Sequence, residues 1–144
     1  MKIEIREDGS DPLMVTIRCT RTDSRIRRLA AYIGLFDCPL QAKDGTETRF
    51  VNTGEVLWFE SVDDRTFLYT ADTVMEIALR LYQLESILPE QSFIRISRSQ
   101  IVNIQKIASL RPELNRTLTA TMSSGEHLSV SRKYVPALRR LLSL

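Results

Sequence analysis

The chain has 144 residues, of which 43% are hydrophobic and 26% charged, the balance of one soluble globular domain. That composition excludes a disordered tail, a collagen and a low-complexity scaffold, and no apolar run approaches the roughly 20 residues that span a bilayer. The net charge of +2 conceals a division: residues 44–88 hold 3 basic and 9 acidic side chains, residues 89–144 hold 9 basic and 3 acidic. Such asymmetry suits a basic face for a polyanion, kept soluble by an acidic face; pairing of opposite charges across the fold is the plainer alternative.

The first residues, Lys2-Ile3-Glu4-Ile5-Arg6, alternate like a half-buried strand and have no apolar core for a secretory signal. Leu13, Val15, Ile17 and Cys19 mark one face of a second strand. Asp23 or Ser24 then caps a predicted helix whose apolar positions are Ile26, Leu29, Ala30 and Ile33. This ββα piece ends near Cys38-Pro39. Cys19 and Cys38 have neither metal nor redox spacing, so both are expected reduced and buried, which points to a reducing cytoplasm.

From Leu40 the punctuation is that of antiparallel β structure. Asp44-Gly45 is a hairpin signal, because both residues tolerate positive φ. Strands are predicted at Val56–Val62 and Thr66–Thr70, with Asp63-Asp64-Arg65 between them, and again at Val74–Ile77. Leu81, Leu84 and Leu88 recur at helical spacing before Pro89 stops the helix. Leu118, Ala120 and Met122 alternate, Ser124-Gly125 turns the chain, and Leu128 and Val130 return. Val135, Leu138, Leu141 and Leu142 form the stripe of a terminal amphipathic helix.

Three ordered motifs then carry a resemblance. Val56-Leu57-Trp58-Phe59-Glu60-Ser61-Val62, the run Phe93-Ile94-Arg95-Ile96-Ser97-Arg98-Ser99-Gln100-Ile101-Val102-Asn103, and Ser124 to Tyr134 around Ser131-Arg132-Lys133 together resemble the LytTR DNA-binding domain over residues 43–144. The resemblance implies an α+β, predominantly antiparallel β fold of small sheets, with residues 1–42 as a preceding segment. It implies a cytoplasmic, sequence-specific transcriptional regulator that binds direct repeats of double-stranded DNA as a homodimer, with loops in successive grooves. Carried over by motif, the contacts fall on Thr66 with Arg65, on Arg98 with Ser97 and Ser99, and on Lys133 with Arg132. Some relatives place His, Asn and Arg at these three positions, so the resemblance does not carry over a preferred base sequence. Residues 1–42 are too short for the phosphoacceptor receiver that many relatives carry; they fit a dimerisation or regulatory element, and some stand-alone relatives answer to a small membrane protein.

The residues have their own chemistry. Arg98 sits in a polar break between apolar stretches, where a guanidinium can grip guanine O6 and N7 or a phosphate. Arg132 and Lys133 precede the last helix, whose first turn Ser131 can cap and whose free amides favour an anion. Thr66 serves only if its hairpin tip enters a groove. Ser97 and Ser99 can donate to phosphate or cap a turn, and Lys106, Arg111 and Arg116 can extend a phosphate track. His127, the sole histidine, reads as structural, as does Asn103; no phosphate loop, zinc helix or nucleophile elbow is present. Neither catalysis, cofactor nor metal is expected. The alternative is a protein-interaction or single-stranded nucleic-acid module, but stacking needs exposed aromatics, and Trp58, Phe59 and Phe93 are placed on core-facing strand positions.

Overall fold

The computed structural model describes residues 1–9, 14–37 and 39–144. The predicted strands at 2–6 and 13–19 do not form: the described residues of both stretches lack strand structure, Ile3, Ile5 and Val15 are exposed, and Leu13 lies outside the described residues. Alternation alone creates a strand only where a neighbouring strand satisfies its backbone and a core takes its apolar face. Among the described residues, neither stretch is paired into a sheet or buried against a core. Helix α1 (Ser24–Asp37) does form, and the Asp23 carboxylate accepts the Ile26 N–H at 3.0 Å. Its stripe of Ile26, Leu29 and Ile33 is half-buried, while Ala30 is exposed. Cys19 is an exposed free thiol rather than a buried one, and Cys38 lies outside the described residues.

Seven antiparallel strands make the main sheet. The first hairpin joins β1 (Leu40–Asp44) to β2 (Glu47–Val51) through Gly45, whose φ of +63° suits the two-residue loop. β1 begins at Leu40, so the sheet also takes in residues 40–42. A second hairpin joins β3 (Trp58–Val62) to β4 (Arg65–Tyr69), with Asp63 and Asp64 at φ 50° and 61°. β5 (Val74–Ile77) pairs with both β4 and β1, and β6 (Phe93–Ser97) and β7 (Gln100–Asn103) close the far edge. The strand order is β2-β1-β5-β4-β3-β7-β6. A smaller sheet contains β8 (Ile107–Pro112), β9 (Leu118–Met122) and β10 (His127–Val130), in the order β10-β9-β8.

Alternation then divides the apolar residues between two cores. Phe59, Leu68, Met75, Ile77, Phe93 and Ile101 face one side of the large sheet, where helix α2 (Leu81–Ile87) covers them with Leu81, Leu84 and the following Leu88. Their neighbours Trp58, Ile96 and Val102 point the other way, into a second core with the small sheet and helix α3 (Val135–Leu141). Because successive side chains take opposite faces, β3, β6 and β7 are buried on both sides and bind the two cores together. Asn103 sits at this junction. It is 2% exposed, donates to the Val56 carbonyl at 2.8 Å and accepts from the Gln105 N–H at 3.1 Å, which is the structural role its sequence position suggests.

Candidate nucleic-acid interface

The β6–β7 connection places Arg98. Ser97 pairs with Gln100, so Arg98 and Ser99 form a two-residue turn, and a register irregularity lies between Arg95 and Ser97. Such a bulge re-aims the side chains beyond it. It also leaves the Ile96 carbonyl free to accept the Ser131 N–H at 2.8 Å, across to the other core. The turn is held from several directions. The Ser99 N–H donates to Ser97 Oγ at 3.2 Å, the Ser61 N–H donates to the Ser99 carbonyl at 2.8 Å, and the Arg95 guanidinium donates to the Arg98 carbonyl at 3.3 Å. Arg95 is itself anchored to Glu85 of α2 at 3.0 Å and is only 21% exposed. A braced backbone thus presents Arg98, which is exposed and has no ion-pair or hydrogen-bond partner for its guanidinium among the described residues.

Arg132 and Lys133 follow directly on the Ser131–Ile96 bond, and both are exposed. Lys133 Nζ lies 5.5 Å from the centre of the Tyr134 ring, which packs on the second core. This contact sets the ammonium itself beside the ring, while the residue stays exposed. Helix α3 starts only at Val135, and the Ser131 carbonyl, not its hydroxyl, accepts from the Tyr134 and Val135 N–H groups at 2.8 and 3.2 Å. The expected side-chain cap is therefore corrected to a backbone one, and the local positive field comes from the two cations. Since Ile96 and Ser131 are hydrogen-bonded and each basic residue lies two positions away, the Arg98 and Lys133 Cα atoms fall within about 20 Å of each other.

The β3–β4 tip is different. Thr66 pairs with Ser61, shares the face of Leu68 and is 3% exposed, beneath the reach of any duplex. One position of strand parity puts it in the first core rather than at the surface. Arg65 is exposed, yet Glu76 holds it with two hydrogen bonds at 2.9 and 2.6 Å, and its guanidinium carbon lies 5.3 Å from the centre of the Phe67 ring. That bond and the charge of Glu76 raise the Arg65 pKa and, in return, lower that of Glu76. Asp63 and Asp64 stand exposed at the turn, and Arg80 grips the Asp64 carbonyl at 2.7 Å. The tip is acidic and internally paired.

The remaining basic residues sort the same way. Arg111 pairs with Glu113 at 2.9 Å, whereas Lys106, Arg116, Arg139 and Arg140 have no ion-pair partner among the described residues. Seven of the nine basic residues in 89–144 therefore have no ion-pair partner among the described residues, against the alternative of charges neutralised across the fold. Trp58 stacks on Tyr69 at 4.3 Å and, like Phe59 and Phe93, is buried, so none offers a stacking platform for an unpaired base. His127 is exposed, with Nδ1 2.9 Å from Thr121 Oγ1. The motif left two elements unseen: the Arg95 brace, and a polar cluster in which Glu60 accepts from Tyr69 and Gln100, each at 2.9 Å. Burial and that carboxylate push the Tyr69 hydroxyl up to about 12.

Comparison with known proteins agrees with this fold. The family model described as the LytTr DNA-binding domain matches residues 46–143. An uncharacterised HTH-type transcriptional regulator of Staphylococcus aureus is 33% identical over 98 residues, covering 68% of this chain and 66% of that protein. The sensory transduction protein LytT of Bacillus subtilis is 30% identical over 100 residues, 69% of this chain and 42% of that protein. The chain thus spans just under two thirds of the staphylococcal relative's length. A solved LytTr DNA-binding domain from Bacillus cereus superposes with a TM-score of 0.71 at 29% identity, over 74% of this chain and 98% of that one.

Proposed function

The chain belongs to the LytTR DNA-binding domain family, and we propose that it regulates transcription by binding double-stranded DNA at specific sites, as a dimer on direct repeats. One observation carries the reading: cations with no ion-pair partner among the described residues project from two loops, around Arg98 and at Arg132-Lys133, that a hydrogen bond between Ile96 and Ser131 fastens together. A base-reading side chain must arrive with its backbone already fixed, because ordering a loop on binding subtracts from affinity. The Arg98 turn meets that condition through Arg95, Ser61 and Ser97.

In this scheme Arg98 offers parallel N–H donors to guanine O6 and N7 in a major groove about 12 Å wide. Arg132 and Lys133 take phosphates, supplying affinity and register without reading sequence. Ser97 and Ser99 serve the turn first and phosphate second. Thr66 is no longer among the contacts, and Arg65 is committed to Glu76. Base choice therefore rests on the Arg98 turn more heavily than the motif alone implies. Lys106 and Arg116, with no ion-pair partner among the described residues, lie just before β8 and in the β8–β9 turn, where they can lengthen the phosphate track.

Selecting bound duplexes from a random pool, then competing the selected duplex against its own single strand, tests this proposal. The duplex is expected to win, and Arg98→Ala to weaken it by about 1–3 kcal/mol, or roughly 5- to 150-fold. Equal binding of single strand and duplex, or no enriched sequence, would favour the single-stranded or protein-binding alternative.

A further inference from the structure

Two features of this chain are complementary and unused. Residues 2–6 have the alternation of a strand but form none, and Ile3 and Ile5 are 77% and 87% exposed. At the opposite extreme of the fold's hydrogen bonding, β2 is the outer strand of the seven-stranded sheet, with no partner beyond it among the described residues. In a two-residue hairpin Glu47, Arg49 and Val51 bond to β1, which directs the N–H and C=O groups of Thr48 and Phe50 outward. Phe50 is 65% exposed. An open edge with an exposed aromatic is a template for another strand.

We propose that residues 2–6 of one chain add antiparallel to β2 of a second copy, which returns the exchange. Charge fixes the register. Setting Glu4 opposite Arg49 places Arg6 opposite Glu47, Ile3 opposite Phe50 and Ile5 opposite Thr48. The two ion pairs then lie on one face, and the Ile3–Phe50 contact and Ile5 against the Thr48 methyl lie on the other. Slipping by one residue sets Ile3 and Ile5 against Arg49 and Glu47 in one direction, or against Val51 and Arg49 in the other, and loses both ion pairs. The free segment already has the required sidedness: Glu4 and Arg6, two positions apart, share a face and are hydrogen-bonded at 2.8 Å. On the acceptor strand Arg49 is exposed and joined at 3.1 Å to Asp44, so the added Glu4 completes an acid–base–acid row. Among the described residues no ladder, hydrogen bond or ion pair joins the two segments within one chain, and a second copy supplies both halves at once through a two-fold axis.

The test is sedimentation of the full chain, without DNA, in a reciprocal charge-swap design. Wild type is expected to dimerise at micromolar concentration. Glu4→Lys and Arg49→Glu, both at exposed positions, are each expected to weaken the dimer on the order of tenfold, because each homodimer sets like charges opposite one another twice. An equimolar mixture of the two variants is expected to recover the wild-type dimer, since both exchanged strands then face an opposite charge. A monomeric wild type, a dimer indifferent to either variant, or a mixture no tighter than its components would each overturn the proposal.

Discussion

Arg95→Ala isolates the brace behind the proposed base-reading turn. Its guanidinium joins Glu85 of α2 to the Arg98 carbonyl, at 3.0 and 3.3 Å, and it does not belong to the basic surface offered to DNA. The ion pair is partly exposed, so its loss costs up to about 1 kcal/mol. The long bond to the carbonyl adds on the order of 1 kcal/mol, below a well-aligned charged hydrogen bond. Together these lower stability by about 1–2 kcal/mol, or roughly 3–8 °C in Tm for a chain of this size. The Arg98 turn keeps its bonds to Ser61 and Ser97, so binding of a selected duplex should fall by only about 3- to 10-fold at a temperature where the variant is fully folded. Fluorescence anisotropy with a labelled duplex measures this, beside a thermal melt of the same sample. A lower Tm with unaltered affinity would refute the positioning role and leave Arg95 a stability residue only.

Two other outcomes follow from buried side chains. Thr66→Val keeps the branched shape inside the first core but removes a buried hydroxyl, so stability should change by about 1–2 kcal/mol while duplex affinity stays within about twofold; a large loss of binding would return Thr66 to the interface. For Tyr69, the folded pKa near 12 exceeds the unfolded value near 10, so the folded state holds its proton more tightly. Its stabilising effect is complete below pH 10 and disappears as pH rises through 12. Absorbance titration should show one tyrosine ionising about two pH units late, and Glu60→Gln should bring it earlier by removing the negative partner.

Most of the chain's β architecture was legible from Leu40 onward because several segments have both an alternating pattern and a turn residue that fixes their end. Gly45, the Asp63-Asp64 pair and Gly125 all take positive φ where turns were expected. The N-terminal strands had the pattern without a partner, and pattern alone does not pair. β8 escaped notice because Ala108, Ser109 and Arg111 along it are exposed and leave little apolar signal. At the site, the exposure of Arg98, Arg132 and Lys133 agrees with the motif, whereas the burial of Thr66 depends on strand parity, which a motif match does not fix. The Arg95–Glu85 and Arg65–Glu76 pairs join residues 10 and 11 positions apart across separate elements, where sequence spacing gives no cue.

The central claim is that Arg98 and Lys133 engage one duplex together through its backbone and base edges. The most direct measurement is the salt dependence of affinity for the selected duplex, compared between wild type and the Arg98→Ala/Lys133→Ala double variant. If Lys133 takes a phosphate, the slope of log affinity against log salt should shrink by about one, and by about two if Arg98 grips a phosphate as well. A double variant with the wild-type slope and affinity would contradict the account.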